Sequence, residues 1–473
     1  MRSVCLPSAV PARNRRALLF LALAVASITA ACAPDGPSAT EPSFAAGDVT
    51  VHSSASDADA IVVTNATELV AALTPANAGR RIVVRSGDYG VTQVLNVPDG
   101  ATLEGEGEML FNASGLPTGF ASGTRTTIRI TANVPGDILT LGDGASVRGI
   151  AIEDLAGRAG NAIAVNSRSA NDTLSAKISE VEITNPNAHA VIPSGPAGCG
   201  VTVLSQNLNL GAAPAAHAGA VIAATVTRSL IHSTSTGTGC GLFAFNFAPL
   251  ASISVNLSDN VIGGGLIANG GVSRPDAVHD SKTEIHSRAN LYRDDSADPC
   301  VTRHLGWNMQ GGSGVPAPLQ IGEVARNTLS VHSQGDRLER FATAIVATGG
   351  RRFFGLPNSG PVNNNTMELE LINAIISTPS CGSTDFRLSG AASGSASLNP
   401  GDGNVLRAVF RGVTGSGMRA NVYADALGPA SPLAQEFQGT GNLLEFAGNL
   451  RAFDKTNSAI DPAPAAEFFT AGR

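Results

Sequence analysis

The chain has 473 residues, of which 43% are hydrophobic, 15% are charged and only 4% are aromatic, and its formal net charge is −7 at pH 7. This negative balance disfavours nucleic acid as a partner and gives no general attraction to acidic polysaccharide. Beyond the N-terminus the apolar stretches are short and almost without helical periodicity, which disfavours a mainly helical fold.

The first 31 residues have the pattern of an export signal. Arginines at positions 13, 15 and 16 precede ALLFLALAVASITAA, which is apolar but too short for a stable membrane helix. The segment that ends at Cys32 resembles a bacterial lipobox, with Thr29 where leucine is commonest, and this resemblance implies lipidation of Cys32. Ordinary cleavage followed by free secretion is the alternative. Loss of residues 1–31 removes four arginines and no acidic residue, so the mature chain carries −11.

Residues 32–58 predict a flexible tether. They are rich in proline, serine, alanine and aspartate and offer little to bury. No later run is long and apolar enough to span a bilayer. We therefore expect an exported protein that is either lipid-anchored to the cell envelope or extracellular, and that meets the membrane only through a lipid anchor.

Residues 59–473 predict one β domain with a short helix near its start. In NATELVAALTPANAGR, Leu69, Val70 and Leu73 indicate a single amphipathic helix. The following segments, GRRIVVRSGDYG and LNVPDGATLEGEG, alternate like strands and are broken by Gly-Asp and Asp-Gly turns. After them, short apolar stretches separated by Gly, Asn, Asp, Ser and Thr continue to the end of the chain.

The helix and the two segments after it resemble the beginning of a right-handed parallel β-helix of the pectin-lyase-like superfamily. Strand-like segments such as VRGIAIEDL, VTRSLIHS and SRANLYRD recur at intervals near 30 residues, and longer intervals fit inserted turns. We predict an all-β solenoid of about nine to eleven coils, capped by the short N-terminal helix and by a C-terminal tail. Asn260, Asn290 and Asn327 precede apolar doublets at predicted corners, where they could stack as a ladder.

Four cysteines follow Cys32, and an even number in an exported chain predicts two disulfides. Cys199 and Cys240 both lie in Gly-Cys-Gly before an apolar strand, so we favour a bridge between these two on neighbouring coils. Cys300 and Cys381 are left as the second pair, although they lie about two coils apart. No two cysteines have the spacing of a zinc site.

The resemblance implies a range of functions, from polysaccharide lyases and glycoside hydrolases to adhesins without catalysis. The Trp-Ile-Asp-His signature and calcium-binding aspartates of pectate lyases have no match in this sequence. Polygalacturonase-type hydrolases have paired aspartates followed by a short apolar strand, whereas Asp294-Asp295 is followed here by SADPC. The missing motifs favour a non-catalytic protein.

One segment, SRPDAVHDSKTEIHSRANLYRDDSADPCVTRHLGW at residues 273–307, holds eleven Asp, Glu, Lys and Arg residues in thirty-five, about twice the charged content of the whole chain. If residues 285, 287 and 289 face the core, Glu284, His286 and Arg288 point outward in one row, opposite Ser254, Asn256 and Ser258 of the preceding coil. The aspartates at 294, 295 and 298 are expected in the loop that follows. The alternative is a solvated loop with no ligand.

Several roles remain open for this segment. Glu284 and Asp294 or Asp295 could form an acid–base pair on a glycosidic bond. The loop aspartates could hold Ca²⁺, but no calcium-loop motif is present, and the histidine spacing disfavours a transition metal, so no metal is assigned. Arg293 is a candidate to contact substrate. Trp307 is either a sugar-stacking platform or a core side chain, and the core role fits its apolar neighbours better.

From the sequence we predict a β-helix protein that displays loops at the cell surface and binds polysaccharide or a cell-surface protein without catalysis. The alternative is a polysaccharide lyase or glycoside hydrolase with a divergent site on the outer face of the β-helix.

Overall fold

The computed structural model describes residues 60–158, 160–187, 190–192, 195–206, 217–233, 240–272, 277–302, 304–314, 322–352, 360–378, 386–393, 401–415, 420–426 and 442–448. The predicted signal peptide, the tether, Cys32, Cys381 and the C-terminal tail after residue 448 lie outside these residues. Within the described ranges no helix is long and apolar enough to cross a membrane.

Three long parallel sheets make up the fold. Sheet A has twelve strands: Ile61–Val63, Arg81–Val84, Thr102–Gly105, Ala145–Arg148, Thr173–Ser179, Val221–Thr227, Ser252–Ser258, Lys282–Arg288, Thr328–Gln334, Thr366–Ile372, Val405–Arg411 and Leu443–Gly448. Sheet B has ten: Gly87–Val91, Thr126–Ile130, Ala151–Glu153, Glu182–Asn185, Leu230–Ser233, Val261–Gly263, Leu291–Arg293, Arg337–Glu339, Ile375–Ser377 and Thr414–Gly415. Sheet C has ten: Leu95–Val97, Leu139–Leu141, Ile163–Asn166, Cys199–Leu204, Cys240–Phe245, Leu266–Asn269, Leu305–Ser313, Thr343–Arg352, Phe386–Ser393 and Ala420–Ala426.

The chain visits sheets A, B and C in turn, so the described strands make ten complete coils that stack as in a right-handed parallel β-helix. This confirms the predicted fold. Additional short strands lie between these sheets: the antiparallel pairs Met109–Phe111 with Pro117–Phe120 and Ala190–Ile192 with Gly195–Ala197, and the parallel set Val278–His279, Val324–Ala325 and Val362–Asn363.

Alternation of side chains produces this architecture. In the strand Thr366–Ile372, Met367, Leu369 and Leu371 are buried, and the residues between them are partly exposed. A single coil cannot shield its inward residues, but stacked coils merge them into one continuous apolar column. Hydrogen bonds between neighbouring coils also pair the backbone N–H and C=O groups of the strands.

A short helix, Ala66–Ala72, lies at the N-terminal end of the column as predicted. Asn65 caps it by accepting a hydrogen bond from the amide of Glu68 at 3.0 Å. Leu69 is fully buried and belongs to the same apolar cluster as the first coils. Two further helical turns, Pro75–Asn77 and Pro299–Thr302, are very short.

The corner between sheets A and B has a constant length. In nine of the ten described coils it consists of two residues, and an inserted hairpin lengthens it in the coil that begins at Thr102. In eight of them the first corner residue has a left-handed backbone, as at Asp259 and Ala289, and the second is buried, as at Asn260 and Asn290. The sharp left-handed residue therefore turns the chain while its neighbour points into the interior.

The buried corner amides form two ladders instead of the single one predicted. At the A–B corner, Nδ2 of Asn260 donates to Asn290 Oδ1 at 2.8 Å, and Asn290 Nδ2 donates to Asp336 Oδ1 at 3.1 Å. Asn327 lies instead at the corner that leads from sheet C into sheet A. The prediction grouped Asn327 with the others because all three precede apolar residues, although their strands belong to different sheets.

The Asn327 ladder is longer and consists only of amides. Asn327 donates to Asn365 at 3.0 Å, Asn365 donates to Asn404 at 3.1 Å, and Asn404 donates to Asn442 at 3.3 Å. Each rung lies one coil further along the column. The Nδ2 group of Asn365 also donates to the Val324 carbonyl at 3.0 Å.

Cys199 and Cys240 form a disulfide between neighbouring strands of sheet C, where the two residues are in register. This is the pair favoured by the sequence. Cys300 is also disulfide-bonded, and Cys381, the partner predicted for it, lies outside the described residues.

Candidate functional site

The outer face of sheet A carries the predicted row of polar residues. In the strand Lys282–Arg288, the side chains of Ile285 and Ser287 are buried, whereas Glu284, His286 and Arg288 face outward. They pair in register with Ser254, Asn256 and Ser258. Residue 289, which was expected to face the core, is exposed and adopts the left-handed corner conformation with φ 55°.

Glu284 lies between Lys282 and His286. Its Oε2 atom lies 2.6 Å from Nζ of Lys282, and its Oε1 atom lies 3.1 Å from Nε2 of His286. The hydrogen bond from Lys282 lowers the pKa of Glu284 below its ordinary value. Glu284 is therefore a carboxylate at neutral pH and has no proton to give to a leaving group.

A second histidine, which the sequence analysis missed, stands beside His286. His332 is in register with His286 on the next strand, and the two rings stack with centroids 5.2 Å apart and planes inclined by 15°. Nδ1 of His332 lies 3.3 Å from Oε2 of Glu370, whose Oε1 atom is 3.6 Å from Nη1 of Arg411. The alternation in VHSQ marks His332 as outward, but 46 residues separate the two histidines in the chain and conceal the pairing.

His286, His332 and Glu370 line a shallow groove of about 380 Å³ that crosses five strands of sheet A. Eleven of its thirteen lining residues carry a hydroxyl, amide, imidazole or charged group, although carbon atoms make up the larger share of the exposed wall. The lining residues are Thr225, Thr227, Asn256, Leu257, Ser258, His286, Ser287, Arg288, His332, Ser333, Gln334, Glu370 and Ile372. Neighbouring strands in a sheet lie about 4.8 Å apart, so polar groups recur regularly along the axis of the β-helix.

Asp294 is not available for chemistry at the surface, contrary to the prediction. It is fully buried, and its Oδ1 atom accepts hydrogen bonds from the Ser296 amide and lies 2.8 Å from Nδ1 of His304. Burial, the largest single cause, raises its pKa, but the interactions with His304 and the hydrogen bonds from Ser296 together outweigh burial and lower the pKa overall. A carboxylate buried with a histidine in this way holds the loop in place.

The other predicted loop residues lie on a different face from Glu284. Arg293 points outward from sheet B, and its Nε atom lies 2.9 Å from Oδ1 of Asp295. Oδ2 of Asp295 lies 3.5 Å from Nδ1 of His232, and Asp298 accepts hydrogen bonds from the amides of the turn Pro299–Thr302. In the part of the chain that the structure describes, no three acidic, histidine or cysteine residues are placed to hold a metal ion.

Trp307 is a core side chain and not a sugar platform. It is 0% exposed and packs edge-on against Tyr292, with ring centroids 5.2 Å apart. The predicted site is thus divided among three environments: Glu284, His286 and Arg288 on sheet A, Arg293 and Asp295 on sheet B, and Asp294 with Trp307 in the interior.

The sequence matches no protein-family model and no curated protein. Several solved structures are similar to the chain in fold, among them the following three. A mutant of pectate lyase from Bacillus subtilis is 12% identical, with 77% of this chain and 82% of that chain covered and a TM-score of 0.24. The catalytic unit of a GH87 alpha-1,3-glucanase from Streptomyces thermodiastaticus is 13% identical, with 83% and 67% covered and a TM-score of 0.29.

The third similar structure is PfbA, a surface adhesin of Streptococcus pneumoniae. It is 10% identical to this chain, with 83% of this chain and 92% of that chain covered and a TM-score of 0.25. The three proteins include two named as enzymes and one named as an adhesin. At these identities the similarity concerns the fold, and the function has to be argued from the groove.

Proposed function

We propose that this protein is an exported, non-catalytic β-helix that binds polysaccharide at the bacterial cell surface, with the groove on sheet A as its binding face. The observation that carries the proposal is the polar lining of that groove across five strands in register. A polymer that lies along the β-helix axis meets a similar row of hydrogen-bonding groups at every coil, so many weak contacts add up along its length.

The composition of the groove favours a hydrophilic polymer over a protein partner. Only Leu257 and Ile372 among its lining residues are apolar, and Leu257 is buried beneath the surface. Protein interfaces usually have an apolar centre with aromatic anchors, whereas hydroxyl and amide groups suit the hydroxyls of sugars. Bound sugar would replace water on Thr225, Asn256 and Gln334.

Binding to this face is testable with paired variants. We expect the double variant Asn256→Ala with Gln334→Ala to weaken polysaccharide binding about tenfold, since two hydrogen-bonding side chains are lost. Lys177→Ala is the matched control, because Lys177 also points outward from sheet A but lies outside the groove. Calorimetric titration against a panel of neutral and charged glycans gives the affinities. Equal affinities in the double variant and the control would refute the groove as the binding face.

A catalytic role has one observation in its favour. His286 and His332 each lie within hydrogen-bonding distance of a carboxylate, which is an arrangement that orients a general base. On this alternative the protein is a polysaccharide lyase or glycoside hydrolase. Incubation with polyuronates and neutral glycans, with and without Ca²⁺, would then give unsaturated products or new reducing ends, and His332→Asn would abolish them. Intact glycans that nevertheless bind would exclude the enzyme and support the binding protein.

The proposed localisation at the membrane rests on Cys32. Lipidation there would hold the protein at the envelope through the tether of residues 32–58, and no other contact with the membrane is proposed. A Cys32→Ala protein is expected to leave the membrane fraction. Retention of that variant with the membranes would refute the lipid anchor and leave the groove proposal intact.

A further inference from the structure

The charge of the groove depends on its histidines. His286 and His332 are the groove's two imidazoles, and their side chains are 49% and 41% exposed, so protons and ligands reach both. Histidine is the side chain that ordinarily changes charge between about pH 5 and 8. Protonation of either ring would add a positive charge to the groove.

We propose that protonation of His286 and His332 turns the groove into a site for an anionic polysaccharide, one that bears sulfate or carboxylate groups, and that binding tightens as the pH falls. This inference rests on the proposed function and specifies its ligand class. It follows from the charges that surround the two rings.

The fixed charges on this part of sheet A are balanced. Around the two histidines, four cationic and four acidic side chains face outward from the strands that begin at Lys282, Thr366, Val405 and Leu443. They are Lys282, Glu284, Arg288, Glu368, Glu370, Arg407, Arg411 and Glu445. The neighbouring strand Ser252–Ser258 contributes only neutral residues, and Thr328–Gln334 contributes no charged side chain apart from His332 itself. Protonation of both imidazoles changes the local sum from zero to +2.

The stacking of the rings couples protonation to ligand binding. Two imidazolium rings with centroids 5.2 Å apart repel each other, and Glu284 and Glu370 each offset only one of them from the side. An anionic group above both rings would interact favourably with two positive charges at once. By linkage, a ligand that prefers the doubly protonated pair must also promote proton uptake by that pair.

The test uses three polymers that share one backbone: dextran, dextran sulfate and carboxymethyl dextran. We expect the wild-type protein to bind both anionic polymers about tenfold more tightly at pH 5 than at pH 8, because two charges are added at contact distance. High salt should reduce this gain, since the groove is open to solvent. Dextran should show no gain.

Two variants separate the histidine pair from the other histidines. His286→Asn with His332→Asn should remove the pH-dependent gain, and asparagine already occupies the equivalent position on the preceding strand at Asn256. His279→Asn is the matched control, because His279 is also exposed and lies 2.8 Å from a carboxylate, Asp280, but outside the groove. This control should keep the full gain.

Each outcome decides the matter. Equal affinities at pH 5 and pH 8, or a gain that persists in the double histidine variant, would overturn the inference. Anionic polymers that bind no more tightly than dextran at either pH, through a groove whose binding is weakened by the Asn256 and Gln334 substitutions, would also overturn it while the proposed function stands. A failure to bind any polysaccharide at either pH would refute the proposed function together with the inference.

Discussion

The ladder at the A–B corner and the ladder at the C–A corner use the same side chain but end in different ways. From Asn327 to Asn442 every rung is an amide that accepts through its oxygen and donates through its nitrogen. The A–B ladder passes from Asn260 and Asn290 to Asp336, whose carboxylate receives both the amide and the side chain of Asn290. An amide can continue a ladder, whereas a carboxylate can only accept.

In the two coils after Asp336, the second residue of the A–B corner is therefore not polar. Ala374 and Val413 follow Asp336 at the equivalent positions of later coils, and both are buried. Asp336 marks the change from a hydrogen-bonded corner to an apolar one. Its surroundings raise its pKa above the ordinary value, mainly through burial. A solenoid corner can thus be filled by either polar or apolar side chains, provided that the last polar side chain of the ladder has its hydrogen-bond partners.

The largest effect is expected from removing a middle rung of the amide ladder. Asn365→Ala removes the side-chain acceptor of the Asn327 backbone amide, one of the two acceptors of the Asn327 side chain, and the side-chain donor to the Val324 carbonyl, all in the interior. We expect a loss of about 3 kcal/mol in the free energy of unfolding, since several buried groups lose hydrogen bonds at about 1 kcal/mol or more each. Urea denaturation followed by circular dichroism measures it. A loss below about 1 kcal/mol would contradict the importance of the ladder.

A double-mutant cycle sharpens this result. Gly312 packs directly against the Asn365 amide, and a Cβ atom at position 312 would overlap it. Gly312→Ala should therefore destabilise the wild-type protein but cost much less in the Asn365→Ala background, because the overlapping amide is then absent. Additive losses would show that Gly312 is needed for another reason.

At the end of the A–B ladder we expect a smaller change in the free energy of unfolding, and here the substitution should stabilise the protein. Asp336→Asn keeps an oxygen for Asn290 and gives Ser333 an amide partner. Because the pKa of Asp336 is raised in the folded protein, its contribution to stability is complete below the ordinary carboxyl pKa and is lost as the pH rises through the raised value. The variant should be more stable than the wild type at neutral pH, by about 1 kcal/mol.

The measurement for this variant is the difference in melting temperature between the two proteins as a function of pH. That difference should grow from acidic to neutral pH and then level off. A constant difference would contradict a raised pKa of Asp336, and a variant that is less stable at neutral pH would indicate that the charge at Asp336 supports the fold.

The smallest effect is expected from a ladder of charges on the outer face. Arg407 lies between Glu368 and Glu445 on sheet A, but its side chain is 49% exposed. Water and salt screen such pairs, so Arg407→Ala should cost less than about 1 kcal/mol. The loss should shrink further in high salt, measured by urea denaturation at two ionic strengths. A loss as large as that of Asn365→Ala would contradict the distinction between interior and exterior ladders.

The sequence was sufficient to predict the coils, because burial on alternate positions is a local pattern. It also indicated the outward direction of Glu284, His286 and Arg288, since Ile285 and Ser287 had to face the column. The Cys199–Cys240 bridge followed from similar sequences on neighbouring coils. These features need only the period of the strands and the stacking of one coil on the next.

What the sequence did not reveal depends on register between distant coils. His332 meets His286 only because an insertion in one coil is absorbed outside sheet A. Asp294 looks like a surface acid in a charged segment, but a histidine ten residues later encloses it in the interior. The high density of charged residues therefore misled the prediction, because the sequence of a loop does not show whether one of its charged side chains pairs with another side chain in the interior.

The two-residue corner between sheets A and B has a consequence for how this protein tolerates change. It has the same length in nine of the ten described coils, and in eight of these nine its second residue is buried. A single residue inserted there would separate the left-handed residue from its buried neighbour, and the one longer A–B connection, in the coil that begins at Thr102, is a folded hairpin. The other two corners already accept segments of many lengths. The A–B corner thus has the most uniform length of the three corners. The other two corners are where new loops, tags or reporter peptides can be introduced with the register intact.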